Sequence, residues 1–172
     1  MTKENTYRRD KRSPTPKSEA VSRVMSANKS KNTKPEILFR KALWKAGFRG
    51  YRLHQKKLPG RPDIAFTTKK VAIFVNGCFW HRCPHCKLKL PKSNTQFWEE
   101  KFTKNIRRDQ AKQAELAKHD WKVLVVWECE LKKNMEAQVE KVKKLLGDIK
   151  KYEVEQEEFL KAAEEEELYG NE

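Results

Sequence analysis

Two short runs are apolar at every position, Val71-Ala72-Ile73-Phe74-Val75 and Val123 to Trp127. Strands buried on both faces read this way, whereas half-exposed strands alternate. Both runs are therefore predicted as central strands. Between them, the stretch from about Thr95 to Lys118 places Phe102, Ile106 and Leu116 at helical spacing, which predicts one long helix. A strand–helix–strand crossover of this length joins parallel neighbours. Asp63-Ile64-Ala65-Phe66 predicts a further strand, joined to the first run by a turn through Thr67–Lys70, and Tyr51 to His54 a short one. Thr33-Lys34-Pro35-Glu36 fits a helix start, with Thr33 as N-cap and Glu36 three residues on. That helix runs to about Ala46, where Gly47 supplies a left-handed end. Met135, Val139, Val142, Leu146, Ile149 and Tyr152 recur every three or four residues and predict a long amphipathic helix. Leu58-Pro59-Gly60-Arg61-Pro62 is a rigid loop, since two prolines fix φ. Residues 77–93 show no period and hold three cysteines and two histidines. Nor does the stretch up to about residue 25, with Pro14 and Pro16, which reads as disordered. The sum is a small α/β sheet with a leading helix, and no internal repeat.

At 172 residues the chain has room for one domain with tails. The division expected is a flexible basic arm over 1–22, a folded domain over 23–134, and an amphipathic helix with an acidic tail over 135–172. No apolar run approaches the ~18–20 residues of a membrane span. The start of the chain is polar and lacks a signal core, so a cytoplasmic protein is expected. Paired disulfides are rare there. Charge is unevenly spread: net +7 over residues 1–35, +14 over 36–134 and −6 over 135–172. A domain this basic has the footprint of a phosphate-backbone binder, because neutralised phosphates release their counterions. The bland reading is a merely soluble basic surface. The acidic tail screens the basic face, binds a partner, or is simply solvated.

The cysteines are the strongest local signal. Cys78, then Cys83-Pro84-His85-Cys86, then Cys129 far downstream fit a structural zinc site of four thiolates in a tetrahedron. Cys78 and Cys129 fall just past the ends of the two predicted central strands, so parallel pairing brings them together. His85 is the rival to Cys86. Such a zinc leaves no open position for water.

Asp63 opens a strand after two prolines, a rigid place from which a carboxylate can hold Mg2+; its ordinary reading is a turn cap. Asp109 falls on the apolar stripe of the long helix with Phe102, Ile106 and Leu116. An inward carboxylate is costly unless paired. The partner is either a basic side chain or a histidine that the aspartate orients, as in activated dyads. His81, in Gly77-Cys78-Phe79-Trp80-His81, is the candidate histidine; it also suits a zinc ligand or a surface position. Asp63 with Mg2+, and His81 held by Asp109, would supply the Lewis acid and general base that phosphodiester hydrolysis needs. Glu36 adds a carboxylate through metal-bound water, or is only part of the capping box.

Phe79-Trp80 are adjacent aromatics in an irregular loop. They pack round the zinc, or wedge into a base stack, with Met25 joining them. Lys101 and Asn105 share one helix face off the apolar stripe and suit base-edge contacts in the major groove, or a solvated face.

These residues resemble a known family. The segments from Leu58 to Asp63 and from Phe74 to His81, Lys104-Asn105 with Arg108-Asp109, and Val125 to Cys129 are similar to the very-short-patch repair (Vsr) mismatch endonucleases. Met25-Ser26 and Thr33-Lys34-Pro35-Glu36 fit the same pattern. The match covers roughly residues 22–133. The resemblance implies a restriction-endonuclease-like fold of the PD-(D/E)XK type with a structural zinc. It implies a Mg2+-dependent nick in double-stranded DNA, 5′ to the thymine of a T·G mismatch left by deaminated 5-methylcytosine. By position it makes Asp63 the metal ligand with the backbone carbonyl of Val75 beside it. His81 becomes the general base oriented by Asp109, with Glu36 in support. It makes Met25, Phe79 and Trp80 the wedge, with Lys101 and Asn105 near the mispaired bases. Asn76 stands where some members have a histidine. No Glu-x-Lys ends strand 71–75, so the chemistry must rest on histidine. The expected protein is a monomer of prokaryotic type, associated with the nucleoid and with no membrane partner; its C-terminal helix packs on the domain, dimerises or docks a repair-protein partner. Two other readings stay open: a site-specific restriction or mobile-element nuclease on the same fold, and a non-catalytic zinc-stabilised DNA-binding module.

Overall fold

The structure is a computed structural model that describes Pro16 and residues 18–147. The described residues form one mixed sheet flanked by helices. The strands are β1 (Arg52–Leu53), β2 (Ile64–Phe66), β3 (Val71–Asn76) and β4 (Lys122–Trp127), in the order β1-β2-β3-β4. The first three are antiparallel in turn, and β3 and β4 are parallel. The helices are α1 (Glu19–Ser26), α2 (Lys34–Lys45), α3 (Thr95–Lys118), α4 (Glu128–Lys133) and α5 (Met135–Leu146).

Alternation along β3 separates the two faces of the sheet. Val71, Ile73 and Val75 join Ile64, Phe66 and Val126 in the main core, covered by Phe39 and Leu43 of α2, Leu131 of α4, and Val142 and Leu146 of α5. Phe39, Leu43, Ile64, Ile73 and Val142 are fully buried. Each such side chain contributes about 1.5–3 kcal/mol of transfer free energy. α5 is thus part of the same core as the sheet. The other face carries Ala72 and Phe74, and α3 lies on that side.

Gly60 fixes the approach of the Pro–Gly loop to α3. Its φ is +74°, and an added Cβ would stand 3.0 Å from Lys112 Cβ and 3.2 Å from the Phe74 ring. Neither neighbour is a flexible tip. Gly60→Ala is expected to lower stability by about 2–3 kcal/mol, through left-handed strain and overpacking together. Thermal melting measures it. An unchanged Tm would mean that the loop has room to shift.

The β3–α3–β4 unit, the helix over 95–118 and the capped start of α2 agree with the pattern in the sequence. Three elements differ. β4, read as central, is the edge of the sheet among the described residues, and most of it is only half-buried. An apolar run reports that faces are covered, here by α3, α4 and α5; it says nothing about a hydrogen-bonded neighbour. Residues 19–26, within the stretch read as disordered, form α1, started by the Ser18 side chain accepting from the Val21 N–H. The rest of the 1–22 arm lies outside the described residues, except Pro16 and Ser18. The helix expected to run to Tyr152 ends at Leu146, where Gly147 takes φ +92°; Ile149, Tyr152 and the acidic tail lie outside the described residues.

Candidate active site

One cleft gathers most of the chemistry. Its walls are the turn before α2, residues 54–63, the end of β3, Trp80 and His81, and the middle of α3. Lys29, Lys31, Lys56, Lys57, Arg61 and Lys112 are among its lining residues, so the rim is strongly basic.

Asp63 enters from the start of β2. Its Oδ2 accepts from the Val75 N–H at 2.7 Å. In a strand, a residue's N–H and C=O point to the same side, so the Val75 carbonyl faces the same way. Burial pushes the Asp63 carboxyl up to about 6, against the Val75 hydrogen bond that favours its ionised form, and nearby Glu36 raises it further. A carboxylate held ionised at such a cost is one that a cation would relieve.

Glu36 is buried at 4% exposure. Its Oε1 accepts from the Thr33 hydroxyl at 2.7 Å and from the Thr33 N–H at 3.3 Å, and its Oε2 from the Asn32 N–H at 2.9 Å. The capping box is therefore complete. The same carboxylate also borders the cleft: Glu36, His54 and Asp63 offer ligand atoms all within 4.8 Å of one another.

On the other wall, His81 Nδ1 and Asp109 Oδ2 are 2.5 Å apart. Arg108 donates to Asp109 Oδ1 at 2.9 and 3.2 Å. Both partners considered for Asp109, histidine and arginine, are present at once. Burial works to raise the Asp109 carboxyl, but its bonds to His81 and Arg108 outweigh that and hold it below the usual range. Asp109 is thus ionised at neutral pH.

Beyond the parallel strand ends, Cys78, Cys83, Cys86 and Cys129 bring their sulfurs within 4.8 Å of one another, with Cys83 and Cys129 3.6 Å apart. No disulfide joins them. Burial pushes the Cys78 and Cys129 thiols up. Four soft donors converging on one point fit Zn2+, which would hold them as thiolates. His85 is exposed and His81 is engaged elsewhere, so neither belongs to the cluster. The Asn76↔Trp127 register places Cys78 and Cys129 each two residues beyond paired ends.

The family evidence agrees with this geometry. The profile of the family described as DNA mismatch endonuclease Vsr matches residues 15–88. The type II nicking enzyme V.NmeAIP of Neisseria meningitidis serogroup A is 48% identical over 127 residues, covering 74% of this chain and 89% of that protein. The type II nicking enzyme V.XorIIP of Xanthomonas oryzae is 48% identical over 109 residues, covering 63% and 79%. The chain belongs to the Vsr DNA mismatch endonuclease family. The DNA mismatch endonuclease Vsr of Escherichia coli K12 is 45% identical over a shorter stretch of 83 residues, 48% of this chain and 53% of that protein. This Vsr-family chain is a DNA nicking endonuclease.

The candidate wedge residues of this Vsr-family chain are only partly in the cleft. Phe79 packs edge-on against Trp80, Trp98 and Phe102 at centroid distances of 5.1, 5.5 and 5.2 Å. Trp80 lines the cleft and Phe79 does not. Lys101 Nζ lies 5.8 Å from the Trp80 ring centroid, and Asn105 Nδ2 donates to the Trp80 carbonyl at 3.0 Å. Asn105 thereby holds the loop that carries Trp80 and His81. Met25 is half-buried on α1, two residues before the cleft wall begins at Ala27.

Sequence reasoning missed His54. Leu53 pairs with Ile64, so the next step of the antiparallel register sets His54 opposite Asp63. Pairing the predicted strands at 51–54 and 63–66 would have revealed it.

Proposed function

We propose that this enzyme nicks duplex DNA 5′ to the thymine of a T·G mismatch with Mg2+, repairing deaminated 5-methylcytosine. The observation that carries this reading is the His81–Asp109 pair in the same cleft as Asp63. The mixed sheet flanked by helices, with its key aspartate opening β2, supports a restriction-endonuclease-like fold.

The divalent cation would supply Lewis-acid stabilisation of the phosphate and its leaving oxygen. Asp63 and the Val75 carbonyl would hold it, with Asp63 Oδ1 the oxygen not already taken by the Val75 N–H. Asp109 fixes the His81 tautomer by accepting at Nδ1, which leaves Nε2 as the base. His81 Nε2 takes a proton from water as the water oxygen attacks phosphorus, and the P–O bond to the leaving oxygen breaks. The basic rim holds the backbone phosphates. Trp80, stiffened by Asn105 and Lys101, enters the stack beside the mismatch, with Phe79 behind it and Met25 on the arm side. Residues 23–134 carry this chemistry in a monomer whose core α5 closes, and the outer side of α5 with the chain beyond it is the place for a repair-protein partner.

Nicking assays with Mg2+ on two duplexes differing by a single T·G pair test this. A nick 5′ to T in the mismatched duplex alone is the expected result. Cutting of both would favour a site-specific enzyme, a reading encouraged by the relatives named type II nicking enzymes. Binding without cutting would leave a zinc-stabilised DNA-binding module. Asp109→Asn is expected to reduce kcat by about 10^2–10^4 with little change in DNA affinity, because the wrong His81 tautomer is presented. A kcat within twofold of wild type would remove Asp109 from the mechanism.

A further inference from the structure

His54 follows β1 directly, with φ +47°, a left-handed conformation unusual for a residue with a side chain. Such outliers concentrate where the surrounding structure over-determines a position, often at functional sites. The backbone is pinned by the His54 N–H donating to the Asp63 carbonyl at 3.3 Å. The side chain is 15% exposed. Nδ1 is 3.7 Å from Asp63 Oδ1, while Nε2 is 3.7 Å from Glu36 Oε2 and 3.5 Å from Asn32 Oδ1. Both carboxylate separations are too long for hydrogen bonds. Two donors each about 2.1 Å from one ion can be up to about 4.2 Å apart, so the Asp63 pair fits ligands that share a cation. Glu36 is different. Both of its oxygens are already engaged by the capping box, which fixes it in place beside Nε2. A carboxylate set against the second nitrogen of a metal-bound imidazole is a recurrent way of orienting that ring.

Resting on the reading that Asp63 holds the cation, we propose that His54 Nδ1 is a direct ligand of the same ion, oriented at Nε2 by Glu36 together with Asn32. Two consequences follow. Glu36 acts as a positioning residue rather than a ligand. The donor set becomes oxygen plus imidazole nitrogen, which shifts preference from Mg2+ toward Mn2+.

The test uses Mn2+ as the probe on the full, zinc-loaded chain without DNA. Affinity is read from the EPR signal of free Mn2+, and the ligand atom from electron spin-echo modulation of the bound ion. The wild type should show 14N modulation that converts to a 15N pattern when the histidines alone are 15N-labelled. This readout needs no variant to fold. His54→Gln should lose the modulation and bind Mn2+ about 10–100-fold more weakly, while its Mg2+ affinity, read by competition, falls less. Glu36→Gln should keep the modulation and weaken Mn2+ about 10-fold. Asp63→Asn should lose the ion altogether. A wild-type ion without nitrogen modulation, or a His54→Gln protein that retains modulation and affinity, overturns the role of His54 while leaving Asp63 in place. Undiminished Mn2+ binding by Asp63→Asn overturns the underlying site instead.

Discussion

Asp63→Asn should abolish nicking, by 10^3-fold or more, while the protein stays folded and keeps its zinc. The oxygen facing the cleft is Oδ1, and an amide in its place cannot hold a divalent cation by charge. The same change should not destabilise the cation-free protein. The folded carboxyl is raised to about 6 from an ordinary 3.8, chiefly by burial. Its charge therefore burdens the folded state. The burden is absent below pH 3.8, grows as pH rises, and is complete above about pH 6. The linkage limit is about 3 kcal/mol. Losing the charged acceptor for the Val75 N–H offsets part of it. At pH 7.5 the cation-free variant should melt a few °C higher than wild type, and the difference should vanish near pH 4. Cation-induced stabilisation of the wild type should grow between pH 5 and 7, since an ion binds only the ionised carboxylate. Melting curves over pH, with and without Mn2+, read all of this. Nicking within tenfold of wild type would exclude Asp63 as the metal ligand. A cation-free variant that melts well below wild type at pH 7.5 would mean that the carboxylate is structural.

Cys129→Ser should lose zinc and stability together. Cys129 lies just beyond β4 and its three partners just beyond β3, so the cluster clasps the ends of the two parallel strands. It also anchors the loop carrying Phe79, Trp80 and His81. Removing one of four thiolates leaves an open site of lower affinity, and zinc binding energy is folding energy in such sites. A fall in Tm of more than about 10 °C is expected, with nicking lost at temperatures where the wild type is active. His85→Ala is the control: its side chain is exposed and outside the cluster, so zinc should remain at one per chain. Metal analysis after gel filtration, with melting curves, checks both. One zinc retained at native Tm in Cys129→Ser would break the proposed ligand set.

The chemistry of the cleft was largely readable because its residues sit in rigid local settings. Asp63 follows two prolines, and Asp109 lies on an otherwise apolar stripe, where a carboxylate demands a partner. Glu36 was legible both as a cap and as a cleft carboxylate, and the structure gives it both positions. Lys101 and Asn105 were harder. Their common face was correct, but Asn105 spends its amide on the Trp80 carbonyl, a contact across 25 positions that spacing on one helix does not reveal. Phe79 likewise belongs to an aromatic group with Trp98 and Phe102, assembled from two segments.

Local pattern alone sufficed for the long α3, the buried β3, the capped start of α2, the gathering of the cysteines at the strand ends and the need of Asp109 for a partner. Each follows from periodicity, caps, chelating spacing or the cost of an inward charge, properties carried by a few neighbouring residues. Three outcomes came instead from long-range packing: among the described residues β4 is an edge, α5 closes the main core, and His54 stands opposite Asp63. Those outcomes depend on which strand pairs with which and in what register. Such pairings are set by the packing of the whole core, and apolar runs in isolation satisfy several of them equally well.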